Sequence, residues 1–479
     1  MPDTSLAALV PAVCVTLAAL AAMLMEAFRR PDEQLPIGLL ATIGLATALA
    51  ACVVLWDDHE SSFGLILADN FGLFASATIL VVGLLTVALS APAIEREGLP
   101  SGEYYAVMLF SIVGMVLMAM AIDLLMIFLA LEIMSIGVYV LTGMRRDSVA
   151  SSEGAFKYFL LGAFSSAFFL YGVALTYVLT GSTRLDHVGV YVAAEGMNAS
   201  PILLVALAML LVGFAFKISA VPFHMWTPDA YEGAPAIVTG FMSTAVKAAA
   251  FAAFVRVFLS ALEPLRPDWA PVLWFIAMLT MILGTVVGVA QSNLKRMLAY
   301  SSIAHGGYLL VGLIAANDVG KAAVLFYLLV YAVTNLGAFG IIALLGTRQS
   351  ANDELRDYAG LWHARPAMAA LMTVFLLSLG GLPPTAGFVA KWYVFSAAVS
   401  AGYYDLAIVG MLTSVVSVFF YLRVVVMMYM TDAVQEPARP LAGPIALSAL
   451  AISMLAVFYL GILPTRVLEL AAASVSSIF

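Results

Sequence analysis

Apolar runs of about twenty residues, the length of a bilayer-crossing helix, recur along the whole chain, separated by short stretches rich in charged residues, proline and glycine. Within the runs there is neither the alternation of a half-buried strand nor the single apolar stripe of a surface helix. They predict helices that are apolar all round, and so an all-α polytopic membrane protein. Spans are expected near residues 4–28, 35–55, 68–91, 104–122, 124–143, 154–180, 201–226, 235–259, 270–291, 295–315, 320–345, 366–399, 403–430 and 442–463, about fourteen transmembrane helices. The first run is too long for a cleaved leader and lacks a basic start, since Asp3 precedes it and Arg29 and Arg30 follow. It is expected to remain as a span.

Composition narrows the class further. Apolar residues make up 63% of the chain and charged residues 10%, against about 25% charged in a soluble domain. The net charge of −8 includes no basic tract, so no nucleic-acid partner is expected. Cys14 and Cys52 lie in apolar runs without partners at metal spacing, and no glycine-rich nucleotide loop is present. Neither a metal site nor a nucleotide or redox cofactor is expected in this chain.

An even number of spans puts both termini on one side. One set of loops carries eleven basic residues (Arg29, Arg30, Arg96, Arg145, Arg146, Lys295, Arg296, Arg348, Arg356, Arg365 and Arg439), the other four (Arg184, Arg266, Lys321 and Arg466). The basic side is expected to be cytoplasmic and the termini periplasmic. Segment 159–172, FLLGAFSSAFFLYG, is similar to 327–340, YLLVYAVTNLGAFG. The likeness is either a coincidence of common membrane residues or the trace of two inverted five-helix repeats, since copies with an odd number of helices must enter the bilayer in opposite senses. The second reading divides the chain into an N-terminal three-helix segment (1–103), a first repeat (104–260), a second repeat (261–430) and a C-terminal helix (431–479).

Two spans contain helix breakers. The span holding Lys217 runs into Pro222 and Pro228, and the one before Lys391 is interrupted by Gly380, Gly381, Pro383 and Pro384. Proline lacks an amide donor and crowds the carbonyl four residues back, so the carbonyls of Ile218, Leu379 and Gly380 are expected to lose their helical partners. Broken helices persist at membrane depth only where protein or a watery cavity satisfies them, and a pair of them points to an ion path.

Ionisable residues sit beside and between these breaks. Glu132 lies nine residues into its span, about 14 Å along the helix, near the middle of the bilayer, and Lys247 is similarly deep. A lysine at the bilayer centre costs about 2.5–3.5 kcal/mol on insertion scales, so Glu132, Lys217, Lys247 and Lys391 are read as proton-transfer groups. The bland alternatives are a protonated core glutamate and helix-capping lysines. At an effective dielectric near 20, two unit charges about 7 Å apart interact by roughly 2.4 kcal/mol. Moving a proton against roughly 180 mV takes about 4 kcal/mol, so one pair is too weak alone and two coupled pairs with a change of hydration suffice. His224 and His305 are read as proton relays or satisfied core histidines, and Lys157 as a relay or a snorkelling side chain. Arg256 and Arg423, near span ends, are expected to snorkel, Asp123 to set a helix end, and His59, His187 and His363 to be surface residues.

The stretches PFHMWTPDAYEGAP (222–235) and GGLPPTAGFVAKWYVFSAA (380–398) resemble the antiporter-like subunits of bacterial NADH:quinone oxidoreductase, respiratory complex I, a family shared with Mrp-type sodium/proton antiporters. The second stretch resembles the N-type subunits rather than their L and M relatives, and the likeness extends over essentially the whole chain. The resemblance implies a translocase subunit that moves protons while partner subunits reduce quinone. It makes Glu132 in LALEIMSIG and Lys217 in FAFKISAVPFH a working pair, Lys247 in STAVKAAA a connecting lysine, His305 in SSIAHGG a central-axis residue, and Lys391 the exit-side lysine. Flavin, clusters, nicotinamide and quinone would belong to other membrane and peripheral subunits, and this chain would contact those subunits and lipid. The alternative is a subunit of a secondary cation/proton antiporter working without an NADH-oxidising partner.

Overall fold

The computed structural model describes residues 5–30, 35–195, 200–346, 353–433 and 443–478. Arg348 and Arg439, counted above for orientation, lie outside them. The described chain is a helical bundle. Its first three long helices are α1 (Val10–Ala27), α2 (Ile37–Val54) and α3 (Asn70–Glu97), with a hairpin of β1 (Glu60–Ser62) and β2 (Ile66–Ala68) leading into α3. There follow α4 (Ser101–Met120), α5 (Leu124–Thr142), α6 (Val149–Thr180), the short surface helix α7 (Leu185–Glu195), α8 (Pro201–Lys217), α9 (Trp226–Gly233), α10 (Ala236–Phe241) and α11 (Lys247–Arg256). The remainder is α12 (Arg266–Val289), α13 (Leu294–Ala315), α14 (Asp318–Leu345), α15 (Leu361–Ala364), α16 (Pro366–Gly380), α17 (Ala386–Ser400), α18 (Tyr404–Met430), α19 (Pro444–Ile462) and α20 (Thr465–Val475).

Among the described residues twelve helices are long and apolar enough to cross a membrane, and α8 and α16 are apolar but shorter. Both short helices stop where the sequence breaks them. α8 ends at Lys217 ahead of Pro222, and α16 ends at Gly380, with Pro383 and Pro384 before α17 resumes. The Val221–Pro222 and Pro383–Pro384 peptides are cis. Helix α10 passes into α11 through a π-helical turn, Met242–Val246, and a second such turn, Val257–Ala261, follows.

Burial separates a centre from a rim. Helices α10, α11, α13 and α14 are almost wholly buried, whereas α1, α2, α6, α18 and α19 leave most of their surface outward. Strand, surface helix and terminus gather at one end: β2 bridges to Ala121 after α4, and Asp123 bridges to Arg184 before α7. At the opposite end residues 292–294 pair with 353–355, through Leu294 N to Asp353 O at 2.6 Å and Leu355 N to Ser292 O at 2.9 Å.

Candidate functional site

Asp123 fixes the start of α5, as expected. Its carboxylate accepts from the amides of Leu125 and Met126 at 2.9 and 3.0 Å and from Thr183 Oγ1 at 2.6 Å, satisfying amides that a helix N-terminus leaves free. Further along α5, Glu132, Ser135 and Tyr139 fall on one face, at the three- and four-residue steps of a helix. Glu132 is half-buried and accepts a hydrogen bond from Ser166 of α6. Lys217, at the end of α8, is buried and donates to Ser135 Oγ at 2.7 Å and to Tyr139 Oη at 3.4 Å. Its ammonium also lies 5.3 and 5.4 Å from the ring centres of Tyr139 and Tyr158, within cation–π range. Glu132 and Lys217 are therefore not a direct ion pair: Lys217 reaches Ser135, one turn along α5 from Glu132, and the Ser135 hydroxyl donates to the Leu131 carbonyl.

The break after α8 is held by aromatic packing and a few hydrogen bonds. Trp226 stacks on Tyr158 at 3.9 Å and donates from Nε1 to the Phe216 carbonyl at 3.1 Å. The Ile218 carbonyl, which Pro222 cannot satisfy, faces Gly306 of α13. A Cβ at Gly306 would lie 3.0 Å from that carbonyl and 3.8 Å from Lys247 Nζ. Glycine here leaves a gap between an unserved acceptor and an ammonium, the two polar partners a water needs.

Lys247 follows directly on the first π-helical turn, a distortion that often marks functional positions in helices. Its ammonium donates to Ser302 Oγ at 2.7 Å and to the Ser302 carbonyl, and lies 5.2 Å from the Tyr331 ring centre. One turn along α13, His305 is buried with Nδ1 2.7 Å from Tyr327 Oη and Nε2 3.4 Å from Tyr421 Oη. One turn further, Tyr308 lies edge-on to His305 at 5.6 Å, and its ring centre is 5.2 Å from Lys391 Nζ. Lys391 of α17 donates to the Leu379 and Gly380 carbonyls at 2.9 and 3.0 Å and to Ser414 Oγ at 2.7 Å. The two carbonyls freed by Pro383 and Pro384 are thus taken by the lysine itself. Gly381, at φ +81°, turns the chain in a conformation that L side chains rarely adopt, and a Cβ there would press within 2.8 Å of Lys391 Cδ.

Of the expected site residues, the structure gathers Lys247, His305 and Lys391 along one stripe of α13 and brings Lys217 to the Ile218 break beside it. Glu132 stands at the outer end of the row. Lys157 and His224 do not join. Lys157 is part-exposed and pairs with Glu153 and Asp229, both at 2.7 Å, while Arg296 joins Asp229 and Glu232 at 2.7 Å each. Burial pulls the Asp229 carboxyl upward, but the hydrogen bonds from Lys157 and Arg296 outweigh it and hold the group below the usual carboxylate range. His224 lies half-buried in the α8–α9 break with Nδ1 unpartnered.

Both arginines depart from expectation. Arg256 does not snorkel: it is buried in a two-pronged pair with Asp69, with contacts of 2.7 Å to each oxygen, because Asp69 caps the start of α3 beside it. Arg423 turns inward to the carbonyls of Val289 and Gln291 at the end of α12. The partners Ser135, Ser166, Ser302, Ser414, Tyr327 and Tyr331 went unread in the sequence, where hydroxyls inside an apolar run carry no distinguishing pattern. Only their recurrence beside the charged positions, as in SSIAHGGY, was available as a signal.

Residues 121–417, from just before α5 to the middle of α18, match the family described as NADH:quinone oxidoreductase/Mrp antiporter, TM. The chain belongs to that family. The matched region of this antiporter-family chain contains both helix breaks and every buried amine described above. The chain is 45% identical to NADH-quinone oxidoreductase subunit N of Trichlorobacter lovleyi over 98% of its own length and 97% of that protein. A chain of respiratory complex I from Thermus thermophilus, solved with bound aureothin, is 34% identical with a TM-score of 0.82, covering 96% of this chain and 99% of that one. A chain of the Mrp complex from Dietzia sp. DQ12-45-1b has a TM-score of 0.85 at 22% identity, covering 99% and 98%, a likeness of fold alone.

Proposed function

We propose that the chain moves protons across the bacterial inner membrane as an N-type subunit of NADH:quinone oxidoreductase, driven by quinone reduction in partner subunits. The full-length relatives at 40–45% identity, named as subunit N of that oxidoreductase, support this reading over a stand-alone antiporter. The observation that carries it is the setting of Lys217, Lys247 and Lys391. Each is buried, and each is held by hydroxyls or carbonyls with no carboxylate in contact among the described residues. A lysine kept for structure is expected to carry a counter-ion. A hydroxyl accepts from an ammonium and donates to an amine, so it serves the lysine before and after the proton leaves.

In the proposed cycle, quinone reduction elsewhere perturbs the Glu132 side of the row, and Lys217 shifts its proton toward Lys247 through water at Gly306. The proton then passes by Ser302, His305 and Tyr308 to Lys391, which releases it at the far side. Flavin, clusters, nicotinamide and quinone are assigned to partner subunits and no metal to this chain. His224 and Lys157 are assigned no step. We read the twelve long helices with the two broken ones as fourteen spans, termini outward, and keep the division at 1–103, 104–260, 261–430 and 431–479. In support, α4, α5, α6, broken α8 and α10–α11 are followed by α12, α13, α14, broken α16–α17 and α18, the break falling fourth in each set of five.

Purification from native membranes in mild detergent tests the assignment. The chain is expected to co-migrate with quinone-dependent NADH oxidation and with flavin and iron–sulfur absorbance. Recovery of cation/proton exchange in fractions free of both would support the antiporter reading instead.

A further inference from the structure

The row of amines needs a way in from the charged end of the bundle, and a second polar cluster lies there. Arg96, at the end of α3, and Tyr358 are buried, and Arg96 Nε and Tyr358 Oη have no hydrogen-bond partner among the described residues. Glu97 Oε2, Arg145 Nε and Asp353 Oδ1 are likewise buried and unpartnered. Glu97 Oε2 and Arg145 Nε stand 3.9 Å apart, too far for a hydrogen bond. Buried polar atoms are rarely left unserved, and so many in one place mark a site that holds water. Lys295, fully buried, forms the inner wall: its ammonium lies 3.0 Å from Asp353 and donates to the Ala234 carbonyl at 3.1 Å. The backbone pairing of 292–294 with 353–355 pins that ion pair in place.

The cluster points at Lys247. Lys295 and Ser302 are seven residues apart on α13 and so share a face, with Leu298 and Ala299 between them. Tyr231, one turn before Ala234 in the chain, reaches the Ser302 side of that apolar gap, its hydroxyl 3.4 Å from Ser302 Oγ, and Ser302 holds Lys247 at 2.7 Å.

Resting on the function proposed above, we infer that this cluster is the proton inlet: Asp353 takes protons from water at the charged end and feeds Lys247 by way of Lys295, Tyr231 and Ser302. Asp353 and Glu97 keep a little exposure while Lys295 has almost none, so the carboxylates meet solvent and the amine does not. Burial pushes the Asp353 carboxyl above the usual carboxylate range, with Lys295 opposing, which suits a group that must bind a proton before passing it on. Each step moves one proton and no electron: onto a carboxylate oxygen of Asp353, to Lys295 Nζ, through water at the Ala234 carbonyl to Tyr231 Oη, which accepts one proton as it donates another, then to Ser302 Oγ and Lys247 Nζ. Arg96 and Arg145, which do not release protons, are positioning residues that hold the carboxylates and the water.

The test uses the assembled complex in proteoliposomes, reading proton translocation per NADH oxidised. Asp353→Asn is expected to lower translocation about a hundredfold, the lower end of what a positioned proton-transfer group contributes, and added formate, a small permeant acid, to restore part of it. Lys295→Arg keeps the charge and the contact with Asp353 but removes the exchangeable amine, so it is expected to assemble and to show the same loss without formate rescue. Translocation at the unmutated level in either variant overturns the inlet, as does loss in Asp353→Asn that formate leaves unchanged. If Asp353→Asn fails to assemble, Lys295→Arg decides alone. Lys247→Ala run beside them separates the two levels: unmutated translocation there sinks the proton-path reading itself, while its loss alongside full activity in the inlet variants sinks only the inlet.

Discussion

A single missing carbon at position 306 shapes the centre of this protein. Gly306 leaves space between the Ile218 carbonyl and the Lys247 ammonium, and Gly306→Ala is expected to fill it. The variant should assemble and oxidise NADH normally while translocating several-fold fewer protons per NADH; an unchanged ratio would remove water at this point from the path. The charged members of the row were readable in the sequence because an ammonium or carboxylate inside an apolar run is conspicuous and expensive. Their partners were not. Ser135 and Ser302 hold lysines while Ser453 is buried with no partner, and nothing in the residue type tells them apart. Arg256 was misread for a related reason: its partner, Asp69, lies 187 residues away, and sequence neighbours show no acid.

At the scale of elements, breaks and caps decide what is exposed to what. The proline positions announced both interruptions and named the carbonyls they would free; that Lys391 would take two of those carbonyls required the fold of α17 back onto α16. The Asp69–Arg256 pair ties the start of α3 to the second π-helical turn. Removing one partner strands a buried charge, so Asp69→Ala should destabilise the protein by about 3–5 kcal/mol, whereas replacing both residues with apolar ones of similar volume should cost far less. Unfolding of the two variants in detergent checks this, and equal losses would contradict it. At the other end Asp229 links α6, α9 and α13 through Lys157 and Arg296. Its carboxyl sits below the usual range, so its contribution is full above the unfolded value of about 3.9 and is lost as pH falls through the lower folded value. Asp229→Asn should therefore melt at a lower temperature than the unmutated protein at neutral pH, with the gap closing below about pH 4. A gap independent of pH would show that the pair carries no such linkage. Helix α7, α20 and the β1–β2 hairpin were missed because they are short and lie at the edges of the long apolar runs that dominate the pattern.

On the scale of the whole molecule, buried helices α10, α11, α13 and α14 form a largely apolar centre crossed by a polar seam, and the rim helices surround it. Hydropathy alone located the long helices closely, since lipid demands that each span satisfy its own backbone. It could not say which helices lie inside, because in a bilayer a core helix and a rim helix are apolar alike. The central claim is that the seam carries protons, and it is met most directly by the number of protons moved per NADH in proteoliposomes containing the complex with Lys217→Ala or Lys247→Ala. A lowered ratio in both variants, with the complex intact and still oxidising NADH, is the predicted result; a ratio equal to that of the unmutated complex in either one would contradict it.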